Sequence, residues 1–346
     1  SYALVGMGPD RRALSASFRY LVMGTIGGTF FVTGVGLLYM MTGTLNMADM
    51  AERLPAVMDT RTVLAAFAFL SIGLGLKLAL FPMHLWLPDA YAYAPSAVTP
   101  FLAATATKVA VYVYLRFFFT IFGGDYAFAS LNLDYLLIPL ALAGVFAGSL
   151  AALFQHDVKR MLAYSSVAQV GYMMLGIGLF SVTGLTATLV HLFNHALMKG
   201  ALFLAMGCVA LRIGSVELED LRGLGKRMPL TAAAFVAGGL SLIGVPLTAG
   251  FISKWYLVLA ALERGMWPVA ALVLAGSLIA VAYVWRVVEA AYFREPEGEA
   301  AAGEAPLSMQ IPMWILVAAN FYFGLTTETT AGIAGKGARL LMGTAQ

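Results

Sequence analysis

Six basic side chains lie where an apolar sequence has least use for them. In His191-Leu-Phe-Asn-His195-Ala-Leu-Met-Lys199, two imidazoles and an ammonium recur at i, i+4 and i+8, a spacing that stacks all three on one helical face. Imidazole titrates near neutrality and can both accept and give a proton, so this file has the chemistry of a proton relay. A lone histidine in such a setting can equally be hydrogen-bonded packing; three titratable groups in line weigh toward the relay. Lys77, Lys108 and Lys254 are also set inside apolar runs. Lys108 has the hydroxyls of Thr105 and Thr107 close by in sequence, while Lys77 and Lys254 could instead be anchors whose amines snorkel to the headgroups.

Two of these lysines sit beside helix breakers. After Lys77 come Phe81-Pro82-Met-His84-Leu-Trp86-Leu-Pro88-Asp89, then Pro95 and Pro100; before Lys254 come Gly244, Pro246, Gly250 and Ser253. Pro and Gly at membrane depth free backbone groups that are tolerated only where they are buried in protein or line a wet cavity. A cavity would give each ammonium somewhere to be. His84, within the first break, either caps freed carbonyls or takes part in the chemistry. A lysine beside a broken helix, twice, suggests an internal inverted repeat of the kind transporters use.

The elements that must position these groups follow from composition. The chain has 346 residues, 61% hydrophobic and 11% charged, with a mean hydropathy of +0.84; a soluble domain carries about 25% charged residues. An all-α, multi-pass membrane protein is therefore expected. Nine full spans are predicted at 20–41, 62–82, 97–120, 135–154, 160–181, 185–210, 231–262, 267–288 and 308–326, preceded by Ser1-Tyr-Ala-Leu-Val-Gly, which reads as the tail of a helix whose upstream neighbours are missing. One transmembrane domain, 1–346, is expected, with no soluble linker. The longest polar loop, Arg294 to Ala305 with Glu295, Glu297, Glu299 and Glu304, belongs in solvent.

Basic residues set orientation. Arg11, Arg12, Arg19, Lys159, Arg160, Arg212, Arg222, Lys226, Arg227, Arg286 and Arg294 collect on one side, predicted cytoplasmic; Arg53, Arg61, Arg116, Arg264, Lys336 and Arg339 collect on the other, with the C-terminal tail outside. The remaining four of the 21 basic residues, Lys77, Lys108, Lys199 and Lys254, are inside spans. None of the 18 acidic residues is near the middle of one, although an ionised lysine at a helix centre costs on the order of 3 kcal/mol on insertion scales. Asp89, His156 and Asp157 read as loop residues, with Asp157 pairing to Lys159 or Arg160 at a helix start. Trp86, Trp255, Trp267 and Tyr164 read as interface or packing aromatics.

No phosphate loop, dinucleotide glycine set, metal-ligand cluster or Ser/His/Asp order occurs. No cofactor, metal or nucleic-acid partner is expected, and the single Cys208 allows no internal disulfide. A membrane enzyme is thus the weakest class. A non-conducting structural subunit is the alternative to transport; it predicts a dry axis whose lysines lack polar partners.

Lys77-Leu-Ala-Leu-Phe-Pro-Met-His-Leu-Trp-Leu-Pro-Asp-Ala-Tyr91, followed by Ala94-Pro-Ser-Ala-Val98, resembles the signature of the antiporter-like subunits shared by respiratory complex I and the multi-subunit Mrp cation/proton antiporters. Asp157-Val-Lys-Arg-Met-Leu-Ala-Tyr-Ser-Ser166 and His191 to Lys199 resemble further signatures, and the likeness runs over essentially the whole chain. Gly250-Phe-Ile-Ser-Lys-Trp-Tyr256 looks most like the D-type component of the Mrp antiporter, since the middle antiporter-like subunit of complex I usually has Glu where Lys254 stands. The resemblance implies a 14-helix fold with two inverted five-helix repeats. Residues 1–120 would be the remainder of the first repeat, 133–292 the second, and 306–346 the final helix and tail. It also implies a Glu on the helix before Ser1 as partner of Lys77. Function is then expected to be proton translocation within an Na+/proton antiporter of the cell membrane, assembled with other subunits. Lys77 would switch the first half-channel, Lys108, His191, His195 and Lys199 would carry the proton laterally, and Lys254 would end the second half-channel. A proton-pumping subunit of complex I, or of a membrane-bound hydrogenase-type complex, is the runner-up.

Overall fold

A computed structural model describes residues 1–8, 10–295 and 303–344. Glu297 and Glu299 of the long polar loop lie outside the described residues. The order is α1 (Tyr2–Gly6), α2 (Arg11–Thr42), α3 (Met47–Arg53), α4 (Arg61–Leu78), α5 (Trp86–Tyr93), α6 (Val98–Leu115), α7 (Leu133–Leu153), α8 (Val158–Gly178), α9 (Val182–Ile213), α10 (Leu224–Arg227), α11 (Pro229–Ile243), α12 (Ala249–Glu263), α13 (Trp267–Phe293), α14 (Leu307–Leu325) and α15 (Thr327–Leu341). The helix starts are written in the sequence: the Asp10, Asn46, Thr60, Asp157 and Ser181 side chains each accept a first-turn backbone N–H, satisfying donors that have no partner inside the helix.

Among the described residues seven helices are long and apolar enough to cross a membrane. The expected fifth span, α8, is long enough but too polar to be one of them, and the expected seventh is divided into α11 and α12, each of 15 residues. The first break separates α4 from α5, so both interruptions foreseen from Pro and Gly are present. The span expected at 97–120 is α6 continued by a π-helical stretch, Arg116–Ile121. The expected tail instead carries α15, which packs along α9 and leaves Ile333 and Leu340 exposed.

Helix α9 is the hub: α6, α8, α11, α12, α14 and α15 all pack on it. Helices α7 and α8 approach so closely that a Cβ on Gly171 would stand 2.7 Å from the Ala141 carbonyl oxygen, the small-residue contact that substitutes for hydrophobic driving force in lipid. Large apolar side chains such as Val32, Leu278 and Ile315 face outward, as an acyl-chain solvent requires. Asp89 bridges Arg19 and Arg160 at one end of the bundle, and Asp134 meets Arg264 at the other.

Three expectations about loop residues are corrected here. Asp89 is in the first turn of α5 rather than in a loop. Among the described residues Asp157 forms no ion pair with a basic side chain; it caps α8 by accepting the Arg160 N–H at 2.7 Å, and the Arg160 guanidinium turns to Asp89 instead. Lys159 is no solvated loop cation: it is buried, and its Nζ donates to the Ala94 carbonyl at 2.8 Å.

Candidate functional site: a buried lysine and histidine file

Helix α9 carries the centre of the site. His191, Asn194, His195 and Lys199 are all buried, on one face as the spacing predicts. The His191 and His195 rings stack with centroids 5.9 Å apart. His191 Nδ1 meets Ser253 Oγ of α12 at 2.8 Å, while His191 Nε2 and both ring nitrogens of His195 have no hydrogen-bond partner among the described residues. A buried polar atom left so is uncommon and calls for an explanation. Lys199 closes the file by donating to Leu162 O of α8 at 2.7 Å and, over a short contact, to Ser165 Oγ.

Lys254 occupies the second helix break, and the break is shaped for it. Pro246 has no N–H to offer Leu242 O four residues earlier, and Gly244 takes a φ of +89° that ends α11. The carbonyls of Leu242 and Ile243 thereby become acceptors for Lys254 Nζ, at 3.1 and 2.7 Å, with Ser277 Oγ of α13 at 3.0 Å. The Tyr172 ring stands under the same ammonium, 4.9 Å from its centroid, and 6.1 Å from the His191 ring. Gly250 lets the two half-helices meet: its N–H donates to Ser241 Oγ at 3.2 Å, and a Cβ there would lie 1.8 Å from Ser241 O. Asn194 holds the start of α12 by donating to Ala249 O at 2.6 Å.

Lys108 is buried on α6, donating to Ala103 O over a short contact and lying 3.5 Å from Thr107 Oγ1; Thr105 instead returns to Phe101 O and is exposed. Lys108 acts electrostatically on His191, His195 and Lys199, and Lys254 acts on His191. Five of the six expected groups, on three helices, therefore form one cluster.

Lys77 stands apart. It is half-buried, bonds Tyr2 Oη of α1 at 3.2 Å, and lines a cavity of about 270 Å³ between α2, α4 and α6. The first break uses its freed backbone differently from the second: Leu76 O accepts the Trp86 indole N–H at 2.8 Å, and Pro82 lies in the non-helical link between α4 and α5. His84 stacks on Phe81 and interacts with the Pro82 backbone, while its Nδ1 has no hydrogen-bond partner among the described residues. Trp86, read from sequence as a packing or interface aromatic, is buried against Tyr20, whereas Trp255 and Trp267 are exposed.

Sequence reasoning missed the polar stripe of α8. Ser165, Ser166 and Gln169 are buried beside Tyr172 on a helix walled in on nearly every side. The signal was there: hydroxyls and an amide recurring through the predicted span 160–181, which begins beside Lys159. Tyr2, Asn194 and Ser277 were missed too, since each matters only through a contact distant in sequence. No group of three or more His, Cys, Asp or Glu among the described residues is arranged to hold a metal ion.

Residues 1–280 match the family described as NADH:quinone oxidoreductase/Mrp antiporter, TM. The chain is 44% identical over 343 residues to the N component of the NADH-quinone oxidoreductase of Desulforudis audaxviator, covering 95% of this chain and 68% of that protein. It is 32% identical over 329 residues to the D component of the Na(+)/H(+) antiporter of Alkalihalophilus pseudofirmus, covering 95% of this chain and 66% of that protein. A chain in the solved Mrp complex from Dietzia sp. superposes with a TM-score of 0.90 at 27% identity, over 99% of this chain and 71% of that one. The chain thus spans about two thirds of the length of the proteins it matches.

Proposed function

Because the chain belongs to the membrane-subunit family shared by NADH:quinone oxidoreductases and Mrp antiporters, we propose that it translocates protons along the Lys/His file as one subunit of a larger complex. The observation that carries this reading is the edge of the file: His191 Nε2 and both His195 nitrogens have no hydrogen-bond partner among the described residues, in a cluster with Lys108, Lys199 and Lys254, and imidazole can take and give protons. Every lysine of the set has polar company, which argues against a merely structural subunit with a dry axis.

The roles follow from position. Lys108 and Lys199 feed the two imidazoles from either side. His191 passes the proton through Ser253, and Lys254, held by carbonyls that carry no charge, receives it. Lys77, at its own cavity, switches entry to the first half, and the two broken helices are the corresponding members of two inverted repeats, 1–120 and 133–292. An ammonium can serve because neighbouring charge and burial set how firmly it keeps its proton.

Two assemblies fit. The N component of a quinone oxidoreductase is supported by the 44% identity. The D component of an Na+/proton antiporter, the sequence-based expectation, is supported by Lys254 and by the 32% relative. Co-purified redox subunits favour the first, and small hydrophobic Mrp subunits with Na+-dependent proton flux favour the second. In the assembled complex, Lys77→Ala and Lys254→Ala should each abolish proton-coupled transport while the complex still co-purifies; normal transport in both rejects the reading.

A further inference from the structure

At one end of the bundle, an open pocket of about 240 Å³ lies between the starts of α2 and α8, the end of α5 and the turn after α9. Six of its lining side chains ionise: Asp10, Arg12, Tyr93, Asp157, Lys159 and Glu217. The two turns that carry its central carboxylates are pinned side by side. Val158 N donates to Val216 O at 3.0 Å and Leu218 N to His156 O at 2.9 Å, a two-bond bridge pairing Asp157 with Glu217. Glu217 is exposed, whereas Lys159 is 6% exposed and reaches the pocket from within. The partial desolvation of Glu217, together with the neighbouring Asp157, pushes its carboxyl up, and burial pushes Asp157 up.

Behind this pocket α8 runs inward with its polar stripe. Leu162 O, three residues and about 4.5 Å of helix rise beyond Lys159, accepts from Ser165 Oγ, from Ser166 Oγ and from Lys199 Nζ. Gln169 follows, its Oε1 without a partner among the described residues, and then Tyr172 beneath Lys254. Leu162 O thus joins the polar stripe of α8 to Lys199 on α9, three residues further along the helix than Lys159.

We propose that this pocket is a proton-access port to Lys199, with Glu217 and Asp157 as the collecting carboxylates and Lys159 as the group that passes the proton inward. The port rests on the translocation reading above and adds to it the end of the bundle from which Lys199 is reached. A carboxylic acid O–H in the pocket gives its proton to the neutral Lys159 amine, leaving a carboxylate; the ammonium so formed returns to the amine as Ser165 Oγ accepts one proton and releases its own to a neutral Lys199 Nζ. Each step breaks one bond to hydrogen and forms another, and needs no co-reactant.

The test is proton uptake by the assembled complex in vesicles, read by a trapped pH dye, with co-purification checking assembly. Asp157→Asn keeps the α8 cap, since Asn caps as well as Asp, but cannot titrate. Combined with Glu217→Gln it should slow uptake at least about tenfold, in keeping with the contribution of a positioned proton-transfer group. Lys159→Met should do the same, and Lys159→Arg should not rescue it, because a guanidinium retains the charge but does not release its proton. Wild-type uptake in the double variant, or recovery in Lys159→Arg, overturns the port. Lys199→Ala separates the two ideas: if it still translocates protons, the translocation reading itself falls, whereas loss there with normal uptake in the port variants rejects only the port.

Discussion

Lys254 takes the carbonyl that Pro246 leaves without a partner: its Nζ stands 3.1 Å from Leu242 O, the oxygen that an amide at position 246 would otherwise have bonded. The interruption in the helix and the cation inside it are thus one device. The proline opens the backbone, and the opened backbone solvates the ammonium with oxygen dipoles where no carboxylate is at hand.

Lys254→Met should therefore do two kinds of damage. Stranding the Leu242 and Ile243 carbonyls should cost about 1–3 kcal/mol for each buried acceptor, visible as a lower Tm of the purified complex, and proton flux should vanish. Pro246→Ala should act on flux with little loss of Tm, because the restored N–H competes with Lys254 for Leu242 O. Comparing flux and Tm in the two variants checks the arrangement; unchanged flux in Pro246→Ala would show that the carbonyl cage does not matter.

Gly250→Ala should destabilise by about 3 kcal/mol or more, an overpacking effect, since its new methyl would lie 1.8 Å from Ser241 O, a backbone atom that cannot swing aside. Gly36→Ala is the matched control. Nothing lies within 4 Å of the added carbon there, so mid-helix alanine should be neutral or stabilise by about 0.5–1 kcal/mol. Thermal melts of the two variants in the same detergent decide the matter.

Stability should also depend on pH through Asp157. Burial outweighs the Arg160 N–H and the nearby charges of Lys159 and Arg160, holding this carboxyl above its ordinary value of 3.8. A carboxyl that binds its proton more tightly folded than unfolded stabilises below the unfolded value, and that contribution is lost as pH rises through the folded one. Tm should accordingly fall on going upward from about pH 4, and Asp157→Asn should flatten that part of the curve. Melts at half-unit pH steps measure the difference.

Cys208 should resist maleimide in the folded complex and react only after denaturation, because it is fully buried on α9. Labelling followed by mass measurement reads this directly, and rapid native labelling would contradict the packing of α9 against its neighbours.

What the sequence disclosed and what it withheld have physical reasons. The α9 file was legible because charged and imidazole groups stand out in an apolar run, and their period of four is the period of a helix. The breaks were legible because Pro246 and Gly244 have few other uses at that depth. Lys159 was misread because it adjoins Arg160 and Asp157: three ionisable residues so close together look like a solvated loop, and only the fold shows that one of them turns inward to Ala94. Ser165, Ser166 and Gln169 are ordinary packing residues in most helices, and nothing in their order tells that α8 is enclosed. Residues 327–341 read as tail because their apolar face is built largely from alanine and glycine, which carry little hydropathy signal.

The enclosure of α8 bears on how the protein is made. Helix α8 takes Lys159, Ser165, Ser166 and Gln169 into the bundle, and each needs polar company that lipid does not offer. Its close fit to α7, with Gly171 against Ala141, suits the two to enter the bilayer as a hairpin, so that the nascent chain lends the polar helix the greasiness it lacks.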